Sequence, residues 1–301
     1  MNYQLSGRYT IGGAALGLAA GAIGGSVVAY AYGAWVNLIP EVHLAAFASI
    51  AFGALVGVST GFGLVWGRVR NKMVALATGA MSASLALYLS WAVWIQSVLA
   101  RSEGQTVNWM KLAQHPGAMW YLMKLINQYG TWTLDNSKTA TTGWELSIVW
   151  ILEAASVIGL AMLVAPSIMQ RHPFCETCGQ WCRRTARFFL APVADVRPVK
   201  LRLESNDMQS LEAPGPGPKI GDRIIVDLES CETCGLFHTL NVVQMLTHRR
   251  KFGHPQVTSQ KIVSHLILGP GEAQTIRHLS EKMARIPKLA PEKARGATAG
   301  R

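Results

Sequence analysis

Charge is scarce in this 301-residue chain: Lys, Arg, Asp and Glu make up 15% of it, where a soluble domain carries about 25%. The scarcity is uneven. Residues 1–165 hold 8 basic and 5 acidic side chains, whereas residues 166–301 hold 20 and 12, so the net charge of +11 divides into +3 and +8. Cysteine is missing from the first 174 residues. Together these absences exclude a single soluble globule, a disordered chain and a secreted disulfide scaffold. Common catalytic words are missing too. There is no G-x-x-x-x-G-K-[ST], no G-x-G-x-x-G after a strand, no G-x-S-x-G and no H-E-x-x-H.

Apolar sequence fills the first part. A membrane span takes about 20 mostly apolar residues, and four segments supply them: residues 11–38, 44–66, 73–99 and 146–169. The expected architecture is therefore an α-helical polytopic membrane protein with a four-helix domain over residues 1–170. Basic residues in the flanks set its direction. Arg68, Arg70 and Lys72 follow the second span, and Arg171, Arg183, Arg184 and Arg187 follow the fourth, whereas the first link carries only Glu41. Both termini are expected in the cytoplasm of a multi-pass protein of the cell (inner or plasma) membrane, with the 101–143 loop outside. Arg8, the apolar stretch after it and Ala29-Tyr30-Ala31 have the outline of a signal peptide. The stretch is long for that role and only one basic residue precedes it, so it is read as a span.

Glycine recurs every fourth residue in the first span (Gly13, Gly17, Gly21, Gly25) and in the second (Gly53, Gly57, Gly61). At helical pitch each row is a groove without side chains, which lets another helix approach closely. The expectation is that the two spans pack on each other as an antiparallel hairpin. Self-association into a homo-oligomer, around a pore in the extreme, is the sharper alternative.

Glu153 is the only acidic or basic side chain inside a span, and Gln96 of the third span reaches a similar depth. A helix-packing hydrogen bond between Glu153 and Gln96 or a serine is expected ahead of a proton or ion path. Eight of the ten tryptophans fall on the outer side: Trp35, Trp91, Trp94, Trp109, Trp120, Trp132, Trp144 and Trp150. That bias suits a loop lying on the membrane surface. Within it, Pro116 opens a helix with Met119, Leu122, Met123 and Ile126 on one side, and residues 130–134 read as a short strand.

All five cysteines follow the last span, and Cys-Glu-Thr-Cys-Gly occurs twice, at 175–179 and 231–235, with 52 residues between the two C-x-x-C pairs. Cys175, Cys178, Cys231 and Cys234 can place four thiolates around one Zn²⁺, and the following glycines permit the left-handed turn that aims amides at sulfur. Each word resembles the knuckle of a zinc ribbon or rubredoxin. The resemblance covers these two words and the flanks of the second, and it implies a cytoplasmic β-rich, zinc-ribbon-like domain over 171–286. Iron fits the same ligands and is the lesser alternative. Redox C-x-x-C pairs lack the surrounding βαβ pattern, and disulfides are disfavoured in reducing cytosol. Cys182 and His238 are alternate ligands.

Around the second knuckle, residues 223–228 (RIIVDL) and 237–245 (FHTLNVVQM) predict a hairpin with the metal site at its tip. Residues 188–190 and 196–203 suggest further strand, 213–218 (APGPGP) a loop, 261–268 a strand and 269–285 a helix. The tail over 287–301 reads as disordered and basic. His248, His254, His265 and His278 show no ligand-like spacing. The runs Arg183-Arg184 and His248-Arg249-Arg250-Lys251 suit anionic lipid headgroups. Nucleic acid is disfavoured because no aromatics interleave them. The function expected is non-enzymatic, a membrane-tethered interaction or assembly module with an unidentified protein partner. A transporter or channel using the glycine-lined helices and Glu153 is the main alternative, and a membrane-bound redox protein the second.

Overall fold

A computed structural model describes residues 2–36, 42–103, 107–130, 141–218, 220–248 and 256–285. Outside the described residues lie the short strand expected from residue 131 onward with Trp132, the Arg249-Arg250-Lys251 run, His254 and the 287–301 tail. The chain divides into two compact units: Ser6–Arg171, and Met1–Leu5 together with His172–Arg301.

The Ser6–Arg171 unit is helical: α1 (Ile11–Trp35), α2 (Val42–Trp66), α3 (Lys72–Glu103), α4 (Trp109–Ala113), α5 (Pro116–Tyr129) and α6 (Gly143–Met169). Of these, α1, α2, α3 and α6 are long and apolar enough to cross a membrane. Local chemistry sets their starts. Thr10 caps α1 by accepting the Gly13 N–H at 3.0 Å. Asn71 caps α3 by accepting from the Met73 and Val74 N–H groups at 2.9 and 3.1 Å. The four long helices form a ring in which α1 adjoins α2 and α3, and α6 adjoins the same two.

The glycine rows serve two different seams. Gly13, Gly17, Gly21 and Gly25 are buried. A Cβ at Gly17 would fall 2.5 Å from Leu64 of α2, and one at Gly25 would fall 3.1 Å from Ala86 of α3. The α2 row turns away from α1. A Cβ at Gly53 would lie 2.5 Å from the Val157 carbonyl, at Gly57 2.8 Å from Val164 Cβ and at Gly61 2.7 Å from Ile168 Cβ, all on α6. The two spans adjoin each other as expected, but the α2 row of glycines lies on the seam with α6 rather than on that with α1. Facing α1 instead are Gly63, where a Cβ would come within 2.6 Å of Ala20, and Gly67 against Gly13. Two residues of helix are about 200° of rotation, so Gly61 and Gly63 must look at different neighbours.

The apolar stripe of α5 also has a protein partner. Met119, Met123 and Ile126 are buried with Ala92 and Ile95 of α3 and Leu112 of α4. Trp120, Tyr121 and Tyr129 are exposed on the other side. The helix caps the bundle rather than offering its stripe to a surrounding interface.

In the other unit, β1 (Phe174–Cys175) and β2 (Gln180–Trp181) pair antiparallel, and β3 (Arg183–Leu190), β4 (Arg223–Ser230), β5 (His238–His248) and β6 (Gln256–Leu268) form an antiparallel meander in that order. Strand alternation builds the core: Ile224, Val226 and Leu228 of β4, with Leu240 and Val242 of β5, are fully buried. They pack under Ala273, Ile276 and Leu279 of α8 (Pro270–Arg285) and beside Leu211 of a 3₁₀ helix over Met208–Glu212. Each large apolar side chain buried this way contributes about 1.5–3 kcal/mol.

Residues expected as strand over 196–203 are instead α7 (Arg197–Glu204). Their period-two look conceals the helical spacing of Val196, Val199 and Leu203, which meet the core while Leu201 is exposed. Strand β6 begins at Gln256, five residues before the expected start.

Each sheet edge is met at one end by another segment. The Pro-Gly loop runs along β3, with Gly217 N–H donating to the Phe189 carbonyl at 2.9 Å and Ala191 N–H to the Gly215 carbonyl at 3.1 Å. Along β6, Asn2 bridges Leu266 and Tyr3 N–H donates to the His265 carbonyl at 2.8 Å. An exposed edge invites pairing with another chain, and Asn2 and Tyr3 narrow that opening at the Leu266 end of β6.

The helical seams give a contrast between two glycines. Gly57→Ala puts a methyl against Val164 and Ala161 of α6, and is expected to lower stability by about 1–3 kcal/mol. At Gly159 of α6 a Cβ meets nothing within 4 Å, so Gly159→Ala is expected to be neutral. Thermal melts of the two variants in detergent check this, and equal shifts would refute the seam.

Candidate metal centre

The two Cys-Glu-Thr-Cys-Gly words fold into matching turns. Gly179 has φ +64° and its N–H donates to the Cys175 carbonyl at 2.9 Å; Gly235 has φ +62° and donates to the Cys231 carbonyl at 2.9 Å. This is the left-handed turn that glycine takes without strain. Register then brings the turns together. Arg183 at the start of β3 pairs with Ser230 at the end of β4, and Ser230 pairs with His238 across the β4–β5 hairpin. The second turn therefore closes the hairpin and the first lies beside it.

The Sγ atoms of Cys175, Cys178, Cys231 and Cys234 all lie within 4.8 Å of one another, and those of Cys175 and Cys234 are 3.8 Å apart. A tetrahedron with metal–sulfur bonds of about 2.3 Å has its sulfurs about 3.8 Å apart. The four residues thus fit a tetrahedral thiolate site. No other His, Cys, Asp or Glu cluster of metal-binding geometry occurs among the described residues. All five cysteines are free of disulfides.

The surroundings set the thiols apart. Burial, the largest influence, pushes Cys175 up and Cys178 up to about 12. Cys234 goes the other way, down to about 6, because the Leu236 N–H points at its sulfur, aided by that of Phe237. Cys175 and Cys231 are buried, whereas Cys178 and Cys234 are half-buried. A dication held among the sulfurs reverses the burial penalty by stabilising every thiolate at once.

The two alternate ligands stand outside this set. Cys182 is buried beside it, and burial followed by the neighbouring Cys231 and Cys175 raises its thiol to about 12. His238 gives its Nδ1 to a 2.8 Å hydrogen bond with Ser230 Oγ, and burial, then the Arg277 charge, holds its pKa below the ordinary range.

A polar network on the same sheet was not anticipated. Glu229, two residues before Cys231, holds His172 Nδ1 at 2.8 Å, Asn241 Nδ2 at 3.1 Å and His265 Nδ1 at 3.3 Å. Burial, the largest influence on Glu229, disfavours its charge, yet the bonds to His172 and His265 outweigh it and hold the carboxyl below the ordinary range. Tyr3 joins at the edge. Its hydroxyl accepts the Phe174 N–H at 3.1 Å, and its ring lies 5.6 Å from that of Phe237. The available signal was the alternation of β4, where Asp227 and Glu229 share one face and Val226 and Leu228 the other. Nothing local pointed to Tyr3.

The basic residues of β3 have acidic partners. Arg187 forms two bonds to the Asp227 carboxylate, at 2.5 and 2.6 Å, and Arg183 approaches Glu232 at 3.5 Å. In the helical unit Glu153 is held by Tyr32, whose hydroxyl donates to Oε1 at 2.6 Å. Gln96 is elsewhere: its Oε1 accepts the Trp109 N–H at 3.1 Å, at the start of α4. The expected Glu153–Gln96 bond is replaced by a bond to an aromatic hydroxyl on α1.

Replacing Glu229 by Ala leaves Asn241 and His265 without their buried acceptor. A loss of about 1–3 kcal/mol is expected in a denaturant melt, with metal content unchanged because Glu229 is not among the converging ligands. Loss of metal at unaltered stability would place Glu229 among them instead.

The chain matches no protein-family model, and no curated protein or solved structure is similar to it.

Proposed function

We infer that the protein is a multi-pass membrane protein whose β-rich unit is held by a structural zinc ion and serves as a membrane-tethered interaction or assembly module. The observation that carries this reading is the convergence of four cysteine sulfurs, all supplied by the chain, within 4.8 Å. A closed Cys₄ set leaves no position open for a substrate, which is the pattern of a structural rather than a catalytic zinc. The same ligands suit iron, and the metal is proposed as zinc because closed Cys₄ sets are the usual structural zinc sites.

The membrane part of the reading rests on exposure as well as length. Ile11, Ile23, Val27 and Trp35 of α1 are exposed, as are Ile151, Leu152 and Leu163 of α6. Apolar surface of that extent is unfavourable in water and favourable against lipid tails. Residues Met1–Leu5 belong to the same compact unit as His172–Arg301. Ends that share a unit suit an even number of crossings, and the basic flanks favour the cytoplasmic side. Anionic headgroups are the proposed contact of the basic residues that Asp227 and Glu232 leave in excess.

Metal analysis of the full-length protein in detergent tests the reading. About one zinc per chain is expected, lost in Cys231→Ser and kept in Cys182→Ser. Iron with a visible thiolate charge-transfer band would move the protein into electron transfer. Retention of metal by Cys231→Ser would refute the four-cysteine site.

The transporter alternative is tested at Glu153. An amide can still accept the Tyr32 hydroxyl bond, so Glu153→Gln is expected to leave stability within about 0.5 kcal/mol of the wild type. Loss of an ion or proton flux from vesicles with assembly intact would favour the path.

A further inference from the structure

Between α3, α5 and α6 lies a cavity of about 430 Å³. Sites that hold small molecules span about 300–1,000 Å³. Three indoles form its walls, Trp91 from α3, Trp120 from α5 and Trp150 from α6, with Met123 and Ala154 between them. The rings of Trp91 and Trp150 are 6.1 Å apart at 47°, splayed rather than stacked.

Two of the neutral polar side chains around the cavity, Asn127 and Ser147, bond each other and nearby backbone. Asn127 Nδ2 donates to the Gly143 carbonyl at 2.9 Å and to Ser147 Oγ at 3.1 Å. Lys124 is different. Its ammonium lies 5.4 Å from the centre of the Trp120 ring, on the exposed side of α5. The result is an apolar chamber with a single cation at its rim. An amphiphile with an apolar tail and an anionic head has the matching chemistry. A water-soluble anion would find one cation in a lining that is otherwise mostly hydrocarbon and indole, with Asn127, Gln128 and Ser147 as its remaining polar side chains.

Position selects the source of such an amphiphile. Ile151 and Trp120, both lining the cavity, are 65% and 60% exposed, so the chamber opens on the apolar outer surface of the helices. Indole and lysine are also the side chains that settle at the level of lipid headgroups, with an apolar body and a polar tip.

We propose that this cavity holds an acyl chain of one anionic phospholipid per protein chain, with the lipid phosphate at Lys124. The proposal rests on the reading of α1, α2, α3 and α6 as membrane spans. It adds a bound lipid at a defined place to a helical unit otherwise read as an anchor.

Brominated lipids provide the test, because bromine quenches indole fluorescence only at close contact. Full-length protein is reconstituted in phosphatidylcholine nanodiscs containing a minor fraction of phosphatidylglycerol, with bromine on the acyl chains of one lipid or the other. Per brominated chain, phosphatidylglycerol is expected to quench as if bound with about fivefold preference, the upper end of what one exposed ion pair contributes. Lys124→Gln removes that preference, whereas Lys111→Gln on α4 keeps it. Ala154→Leu fills the chamber and lowers quenching by either lipid. Equal quenching by the two lipids in the wild type overturns the proposal, and so does a preference that survives Lys124→Gln. Alkaline extraction of native membranes tests the underlying reading separately. Release of the protein would sink the spans themselves, whereas an integral protein without lipid preference would sink only the cavity site.

Discussion

Four sulfurs can share one cation only if two turns separated by 52 residues are held within a few ångströms of each other, and the β-rich unit is organised around that demand. The pairing of Arg183 with Ser230 starts the β3–β4 ladder beside both turns, so the sheet register and the sulfur cluster fix one another. A slip of one residue would turn every β4 side chain to the opposite face. Ile224, Val226 and Leu228 would leave the core, and Cys231 would leave the cluster. Tyr3 adds a third restraint by bonding the Phe174 amide one residue before Cys175 while pairing with His265 of β6. A metal held in this position would do for a small core what additional apolar burial does in a larger domain.

Read as membrane spans, the long helices of the other unit answer a different constraint. Between apolar helices in lipid there is no hydrophobic gain from association, so close backbone contact and a few buried polar bonds must supply it. Both occur. Glycines bring α1 against α2 and α3, and a separate glycine row brings α2 against α6. Tyr32 then donates to Glu153 from α1 to α6, across the ring rather than along one of its glycine seams. Such a bond specifies rotation as well as proximity, because the hydroxyl must point at one carboxyl oxygen on another helix.

Features that depend on spacing along the chain were legible in the sequence. The four long apolar helices follow from runs of about 20 residues, and the β4–β5 hairpin follows from apolar strands flanking a turn. The converging cysteines follow from a repeated five-residue word. Partners chosen in three dimensions were less accessible. Glycines at a four-residue spacing announce a groove, but not which neighbour fills it, and here Gly57 meets α6 rather than α1. Glu153 announces a buried bond, but not that its donor is Tyr32, 121 residues away. Residues 196–203 misled for another reason. Val196, Val199 and Leu203 satisfy helical spacing, while Val199, Leu201 and Leu203 alternate, and only packing decides between the two periods.

One pair in the β-rich unit has the outward form of a catalytic device and shows why geometry alone is a poor guide. Ser230 Oγ and His238 Nδ1 are 2.8 Å apart, the spacing of a nucleophile and its base. Yet the two residues are 1% and 2% exposed, and Thr185 and Arg277 also crowd the serine oxygen at 3.0 and 3.4 Å. A substrate carbonyl would need the space those groups occupy. The pair sits where β3, β4 and β5 meet at the base of the second cysteine turn, and its bonds satisfy hydroxyls that the core would otherwise bury without partners. Its place next to the cluster is better explained by the need to end two strands cleanly before Cys231. That argument extends to Glu229, whose bonds to His172, Asn241 and His265 tie β4 to its neighbours two residues before Cys231.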